Sequence, residues 1–385
     1  MTAVAAILFW LSAGLILYTH LGYPVVLAAL VWVRGRTARP RRAVGAAPES
    51  RSADLPSVSL IVPAYDEQEV IAAKVANALA LDYPRELLDV IVASDGSADA
   101  TAARARAAGA DLVLELPPGG KVAALNTAAE RAGGEILAFS DANCSWAADA
   151  LSRLVEPFAD PSVGYVCGQV SFRDPGGDNL EGSYWRYEMA VREMESSLGG
   201  ITAGNGAIYA VRRDDFLPLA PSGSHDLSFP FALAKRGRRS LYQPAARAEE
   251  KMVPTLEGEF ARKRRMMVGL WDIVVGEGML SPRGYSPLFA LELLSHRLLR
   301  YLSPLLHLVA LVSNALLLGE GWVYDLAFVL QVGLILGALL GRWLPLPPLR
   351  AARYYVMTTS SIAAGLWDRW HQGAPGRWQK APGTR

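Results

Sequence analysis

Hydrophobic positions follow two patterns along the chain. Residues 3–33 form an apolar run without Lys, Arg, Asp or Glu. A helix crosses a hydrocarbon core in about 20 residues, so this run spans with tilt, and Pro24 predicts a kink in it. Residues 301–318 and 322–340 read as a hairpin of two further spans around the turn Gly319-Glu320-Gly321. The stretch 354–367 is shorter and carries Thr358, Thr359, Ser360 and Ser361. A fourth span, a re-entrant piece and an interfacial helix all fit it. Between the runs the pattern changes to short β-rich segments at 58–62, 89–93, 111–116 and 135–139, alternating with helical periodicity at 70–81, up to about 108, and at 121–132. Such alternation predicts parallel βαβ units in one α/β domain over 54–257.

Composition and charge narrow the picture. With 51% hydrophobic and 19% charged residues, the chain is no disordered segment, collagen-like fibre or simple nucleic-acid binder. A net charge of +1 leaves any electrostatic steering to local groups. Two cysteines, Cys144 and Cys167, exclude a disulfide scaffold and a thiolate metal cluster, and read as buried side chains in a reducing compartment. Basic residues follow the first run at once (Arg34, Arg36, Arg39, Arg41, Arg42). Others flank the hairpin: Arg297 and Arg300 before it, Arg342, Arg350 and Arg353 after it. The positive-inside rule then puts the amino terminus outside and the α/β domain in the cytoplasm. The first run is too long, and lacks a preceding basic residue, for a cleaved signal. The Ala-, Gly- and Arg-rich composition points to a GC-rich bacterium, and the expected location is a bacterial inner or plasma membrane. The expected order is a membrane helix (1–33), a basic linker (34–53), the α/β domain (54–257), amphipathic interfacial helices (258–296), a membrane hairpin (297–341), and a membrane-associated segment with a basic tail (342–385). Phe260, Met266, Met267, Leu270, Trp271 and Val274 beside four consecutive basic residues predict an amphipathic helix, on the cytoplasmic leaflet or packed on the soluble domain.

The chemistry-bearing residues follow the strands. Right-handed crossovers bring all parallel strand ends to one edge, where open sheets bind ligands. Asp66, Asp95 and Asp141 each follow a predicted strand and are expected to converge there. Neither GxGxxG nor GxxxxGK[ST] occurs, which argues against a dinucleotide dehydrogenase and a P-loop ATPase. Asp141 and the amide of Asn143 are hard oxygen ligands suited to Mg²⁺ or Mn²⁺ carried in by a diphosphate. Asp66 and Asp95 suit a base or ribose. The simplest ligand is a nucleoside diphosphate-sugar.

Seven segments occur in a telling order: Val62-Pro63-Ala64-Tyr65-Asp66-Glu67, Ser94-Asp95-Gly96-Ser97, Gly120-Lys121 with Ala124-Leu125-Asn126, Ser140-Asp141-Ala142-Asn143, 204–213, His225-Asp226-Leu227, and 262–265. Together they resemble the membrane-embedded family 2 glycosyltransferases, the group of the hyaluronan, chitin and cellulose synthases. The resemblance implies a GT-A fold, a Rossmann-like α/β domain with a mostly parallel sheet, flanked by transmembrane helices. It implies nucleotide contacts from Pro63, Tyr65, Asp66, Glu67, Asp95, Gly96, Lys121, Asp141, Arg262 and Arg265, with Mg²⁺ or Mn²⁺ on Asp141 and Asn143. Asp226 is then the general base of an inverting transfer; read by itself, it is equally a helix cap. Gly204, Asn205 and Gly206 are expected near the acceptor, where Trp185 offers a stacking face or is simply core. The segments depart from the family pattern in three places. The metal motif is DxN, one acid stands at 225–226, and Met266 replaces the tryptophan of processive synthases. His225 reads as an orienting neighbour of the site or, more simply, as an exposed residue.

The implied activity is metal-dependent transfer from a nucleotide-sugar, UDP-linked foremost, to a glycan or lipid-linked acceptor at the cytoplasmic membrane face. A polyprenyl-phosphate acceptor and a catalytically silent membrane scaffold are the alternatives. The expected partners are the donor, the acceptor and membrane lipids, with a second copy or an export protein for passage across the bilayer, and no nucleic acid.

Overall fold

The apolar runs form four parallel strands: β1 (Val58–Ala64), β2 (Leu88–Asp95), β3 (Leu112–Leu116) and β4 (Ile136–Phe139). Four more follow in a computed structural model describing residues 2–37, 55–173, 180–251, 256–344 and 346–373: β5 (Cys144–Trp146), β6 (Val163–Arg173), β7 (Tyr209–Arg212) and β8 (Arg239–Lys251). The sheet order is β3-β2-β1-β4-β7-β6-β8-β5, with β7 antiparallel to both its neighbours. The expected linker lies outside the described residues from 38 onward, as does the tail from 374.

Both faces of the sheet are covered, which is why its strands read as continuous apolar runs rather than alternating ones. Val58, Leu60, Val90, Ile136 and Ala138 pack with Trp146, Leu151 and Phe158 on one side. Ile61, Ile91, Leu137 and Phe139 pack with Leu125, Tyr165, Tyr209 and Phe229 on the other. Pro63 lies in a central strand, yet pairing with β4 stops at Ile61↔Phe139, so its missing N–H costs no ladder bond on that side.

Contacts divide the chain into two units. One holds Leu30–Pro254 and Gly269–Phe289, and with them the sheet. The other holds Met1–Ala29, Thr255–Val268 and Ala290–Gly373. In the first apolar run, a π-helical turn at Tyr18–Gly22 joins the helices Thr2–Leu17 and Tyr23–Thr37 just before Pro24. Proline leaves one helical hydrogen bond unmade, and the wider turn stands where the kink was expected.

The expected span 301–318 falls on a bent pair of helices. The helix there is Ser303–Ala315, bent by 62° from Pro287–Tyr301. Pro304 in its first turn separates it from the preceding helix, and 13 residues reach only about 20 Å. Among the described residues, Thr2–Arg36 and Trp322–Leu340 are long and apolar enough to cross a membrane, or three spans if the bent pair counts as one. The segment 354–367 lies within the helix Pro347–Gln372, which is not among them. It packs on the helix Leu256–Trp271, where Gly365 lies against Met267 and the Arg264 backbone. Arg264 pairs with Asp368, and Arg353 with Glu257 at 2.6 Å.

Candidate active site

Each loop at the carboxyl edge of the sheet is fastened to the next. After β1, Asp66 adopts φ +48°; its N–H donates to Ser97 Oγ at 3.0 Å, and its Oδ1 accepts from Ala98 N–H at 2.8 Å. The Glu67 N–H donates to Thr101 Oγ1 at 2.7 Å, which ties the first loop to the second. After β2, Asp95 is 3% exposed. Its two carboxylate oxygens accept from the N–H groups of Gly119 and Gly120, at 2.7 and 2.9 Å. It therefore shapes the loop leading into Lys121. Gly96 is at φ +63°, with Pro118 where a Cβ would stand, so this turn admits only glycine without strain. Pro63 is buried in β1, while Tyr65 is half-buried just beyond its end.

Lys121 opens the helix Lys121–Arg131 and pairs with Asp141 after β4. Burial works to lower its pKa, but Asp141, Asp226 and Glu250 together outweigh that and hold the amine above its ordinary value. One ammonium thus lies within electrostatic reach of carboxylates from three separate segments. Asn143 donates through Nδ2 to Glu250 Oε1 at 3.3 Å. Glu250, on β8, is a site residue that sequence reasoning missed: it belongs to no recognised motif and lies more than 100 residues from Asp141.

Among the described residues no three His, Cys, Asp or Glu side chains form an all-protein metal site. The donor set is one carboxylate and one amide, and Lys121 stands on the carboxylate as a cation would. That fits a hard divalent ion whose remaining ligands arrive with a diphosphate and water.

Asp226 lies in the first turn of the helix His225–Lys235 and accepts a hydrogen bond from the hydroxyl of Ser224, the residue before that helix. Reciprocal bonds between Asn126 and Leu219, 2.9 Å from Nδ2 to the carbonyl and 3.3 Å from the N–H to Oδ1, anchor the preceding segment. His225 is a correction: it is 5% exposed, with Nδ1 2.7 Å from Tyr209 Oη and Phe139, Phe216 and Phe229 around its ring. Burial, then the charge of Lys121, pushes its pKa down to about 3, so it stays neutral at physiological pH.

The 204–206 segment divides its work. The Gly204 N–H donates to the Asp226 carbonyl at 2.7 Å, and a Cβ on Gly204 would fall 1.9 Å from Tyr165 Oη. Asn205 is buried and bonds to Gly168 and Ile208. A Cβ on Gly206 would lie 3.8 Å from Lys121 Nζ, so this glycine borders the charged cluster. Trp185 is half-buried, its indole N–H donating to the Val170 carbonyl at 2.7 Å. Arg262 and Arg265 belong to the other unit, where Arg262 forms a two-pronged pair with Glu259, both distances 2.8 Å.

Two family models match the chain. Glycosyl transferase family 2 covers residues 59–217, and glycosyl transferase family group 2 covers 139–367. The chain belongs to the family 2 glycosyltransferases. Relatives of this glycosyltransferase include glycosyltransferase AglE of Haloferax volcanii, 30% identical over 179 residues, which are 45% of this chain and 58% of the relative. Another is a poly-β-1,6-N-acetyl-D-glucosamine synthase of Staphylococcus aureus, 23% identical over 272 residues, 66% of this chain and 65% of the relative. The match thus spans less than two thirds of either curated relative. Among solved structures, the mannosyltransferase PcManGT of Pyrobaculum calidifontis, in complex with GDP-Man and Mn²⁺, superimposes with a TM-score of 0.70. It is 24% identical, and the alignment covers 94% of this chain and 99% of that one. That likeness shows the GT-A fold.

Proposed function

We propose that this glycosyltransferase is inverting and metal-dependent. It moves a sugar from a nucleoside diphosphate-sugar, UDP-linked foremost, to a hydroxyl of a glycan or glycolipid at the cytoplasmic face of a bacterial inner membrane. The observation that carries the reading is Lys121 among the carboxylates of Asp141, Asp226 and Glu250 at one sheet edge. Apolar helices flanked by arginines support the membrane placement. A related fold solved with a nucleotide-sugar and Mn²⁺ supports the donor class and the cofactor.

A sugar hydroxyl ionises far above pH 7, so its attack needs a positioned base. Asp226 takes the proton as the acceptor oxygen bonds to the anomeric carbon. The bond to the diphosphate breaks on the opposite side, and configuration inverts. Lys121, kept protonated by its acidic neighbours, offers a fixed positive charge to the departing diphosphate. Asp141 and Asn143 would hold Mg²⁺ or Mn²⁺, which supplies Lewis-acid neutralisation of the leaving group. Asp66, Glu67 and Gly96 border the nucleoside, and Gly206 borders the acceptor side.

Asp226→Asn tests the base. Nucleotide-sugar binding by calorimetry should persist while turnover falls about 10²–10⁴-fold. Near-wild-type turnover would contradict the assignment and favour a phosphate acceptor, which needs little help from a base.

A further inference from the structure

An amide is a less forgiving metal ligand than a carboxylate. Either oxygen of Asp can face a cation, whereas Asn presents a ligand at Oδ1 and a repelling donor at Nδ2. A DxN motif therefore works only if something sets which end of the amide faces the ion.

The strand pairing places that device beside Asn143. β5 begins one residue later, and its first residue, Cys144, stands opposite Glu250 on antiparallel β8. Docking β5 on β8 thus carries Asn143 to Glu250, and Nδ2 donates to Glu250 Oε1 at 3.3 Å. An ionised carboxylate only accepts, so it selects the NH₂ end of the amide and turns Oδ1 elsewhere. We propose that Glu250 is a positioning residue that orients the Asn143 amide so that Oδ1 serves the divalent cation. The acid missing from the motif is thereby replaced by an acid from a distant strand, acting through the amide. The inference rests on the metal-dependent reading above and adds to it a residue that no motif contains. Outer partners of this kind change metal affinity by about 10–100-fold when removed.

The test measures Mn²⁺ binding, by electron paramagnetic resonance, to the detergent-solubilised full chain with UDP or GDP and no acceptor. Glu250→Ala should weaken Mn²⁺ binding about tenfold or more. Glu250→Gln, which can still accept from the amide, should stay within about threefold of wild type, and this conservative rescue separates orientation from bare charge. In an Asn143→Asp background, where neither oxygen needs selecting, adding Glu250→Ala should cost little or improve binding by relieving like-charge repulsion. Thermal unfolding of each variant establishes that it is folded. Equal Mn²⁺ affinity in Glu250→Ala and wild type overturns the inference alone. So does an equal loss in Glu250→Gln and Glu250→Ala, or an undiminished cost of Glu250→Ala beside Asn143→Asp. If wild type takes up no Mn²⁺ with either nucleotide, the metal-dependent reading falls and this inference with it.

Discussion

Lys74 is a buried charge that the proposed reaction does not use. It is 3% exposed, its amine sits 5.1 Å from the Trp146 ring centre, and Nζ has no hydrogen-bond partner among the described residues. Burial lowers its pKa from 10.5 to about 8, against the opposing pull of Cys144 and Asp141. Between these values the unfolded chain binds more protons than the folded one, so stability rises with pH from about 8 to about 10.5. Below pH 8 the protonated amine costs the fold about 3 kcal/mol. Lys74→Met should therefore raise stability at pH 7 by up to about 3 kcal/mol and abolish the alkaline rise. Urea unfolding of the solubilised chain at pH 7 and pH 10 checks this; a variant less stable than wild type at pH 7 would show that the amine has a stabilising partner. Sequence gave no hint of this site, since a lysine at helical spacing ordinarily reaches solvent. Asp95 was legible as a strand-end acid, but its partners are glycine N–H groups, which leave no side-chain signature.

At the scale of elements, the loop before Lys121 depends on Asp95. Asp95→Asn turns an NH₂ toward the N–H of Gly119 or Gly120, leaving a buried donor unpaired. The expected cost is about 1–3 kcal/mol, with reduced kcat/KM because Lys121 loses its support. Thermal unfolding and steady-state kinetics read both, and unchanged values would mean the loop is held from elsewhere. The four parallel strands were readable because each is a run of apolar residues ended by a turn. β5 to β8 were not, because β5 and β7 have three and four residues and β6 and β8 mix polar side chains into longer strands. The break before Ser303 had a visible sign in Pro304, which the continuous hydropathy of 301–318 hid.

For the whole molecule, the proposed cytoplasmic placement, read from charge bias, requires the turn at Gly319–Gly321 outside the cell and Arg350 inside. Cys144 and Cys167 are buried, with thiols pushed up to about 12 and about 11, so neither labels in the folded chain. Added cysteines therefore report topology without background. A membrane-impermeant maleimide should label Glu320→Cys in intact cells and Arg350→Cys only after lysis, and the reverse pattern would invert the orientation. The most direct test of the whole account is release of nucleoside diphosphate by the purified chain from a panel of UDP- and GDP-sugars, with Mn²⁺ and with chelator. The account predicts release from at least one donor that stops on chelation and falls at least about 100-fold in Asp226→Asn. Release that ignores both the chelator and Asp226→Asn would contradict it.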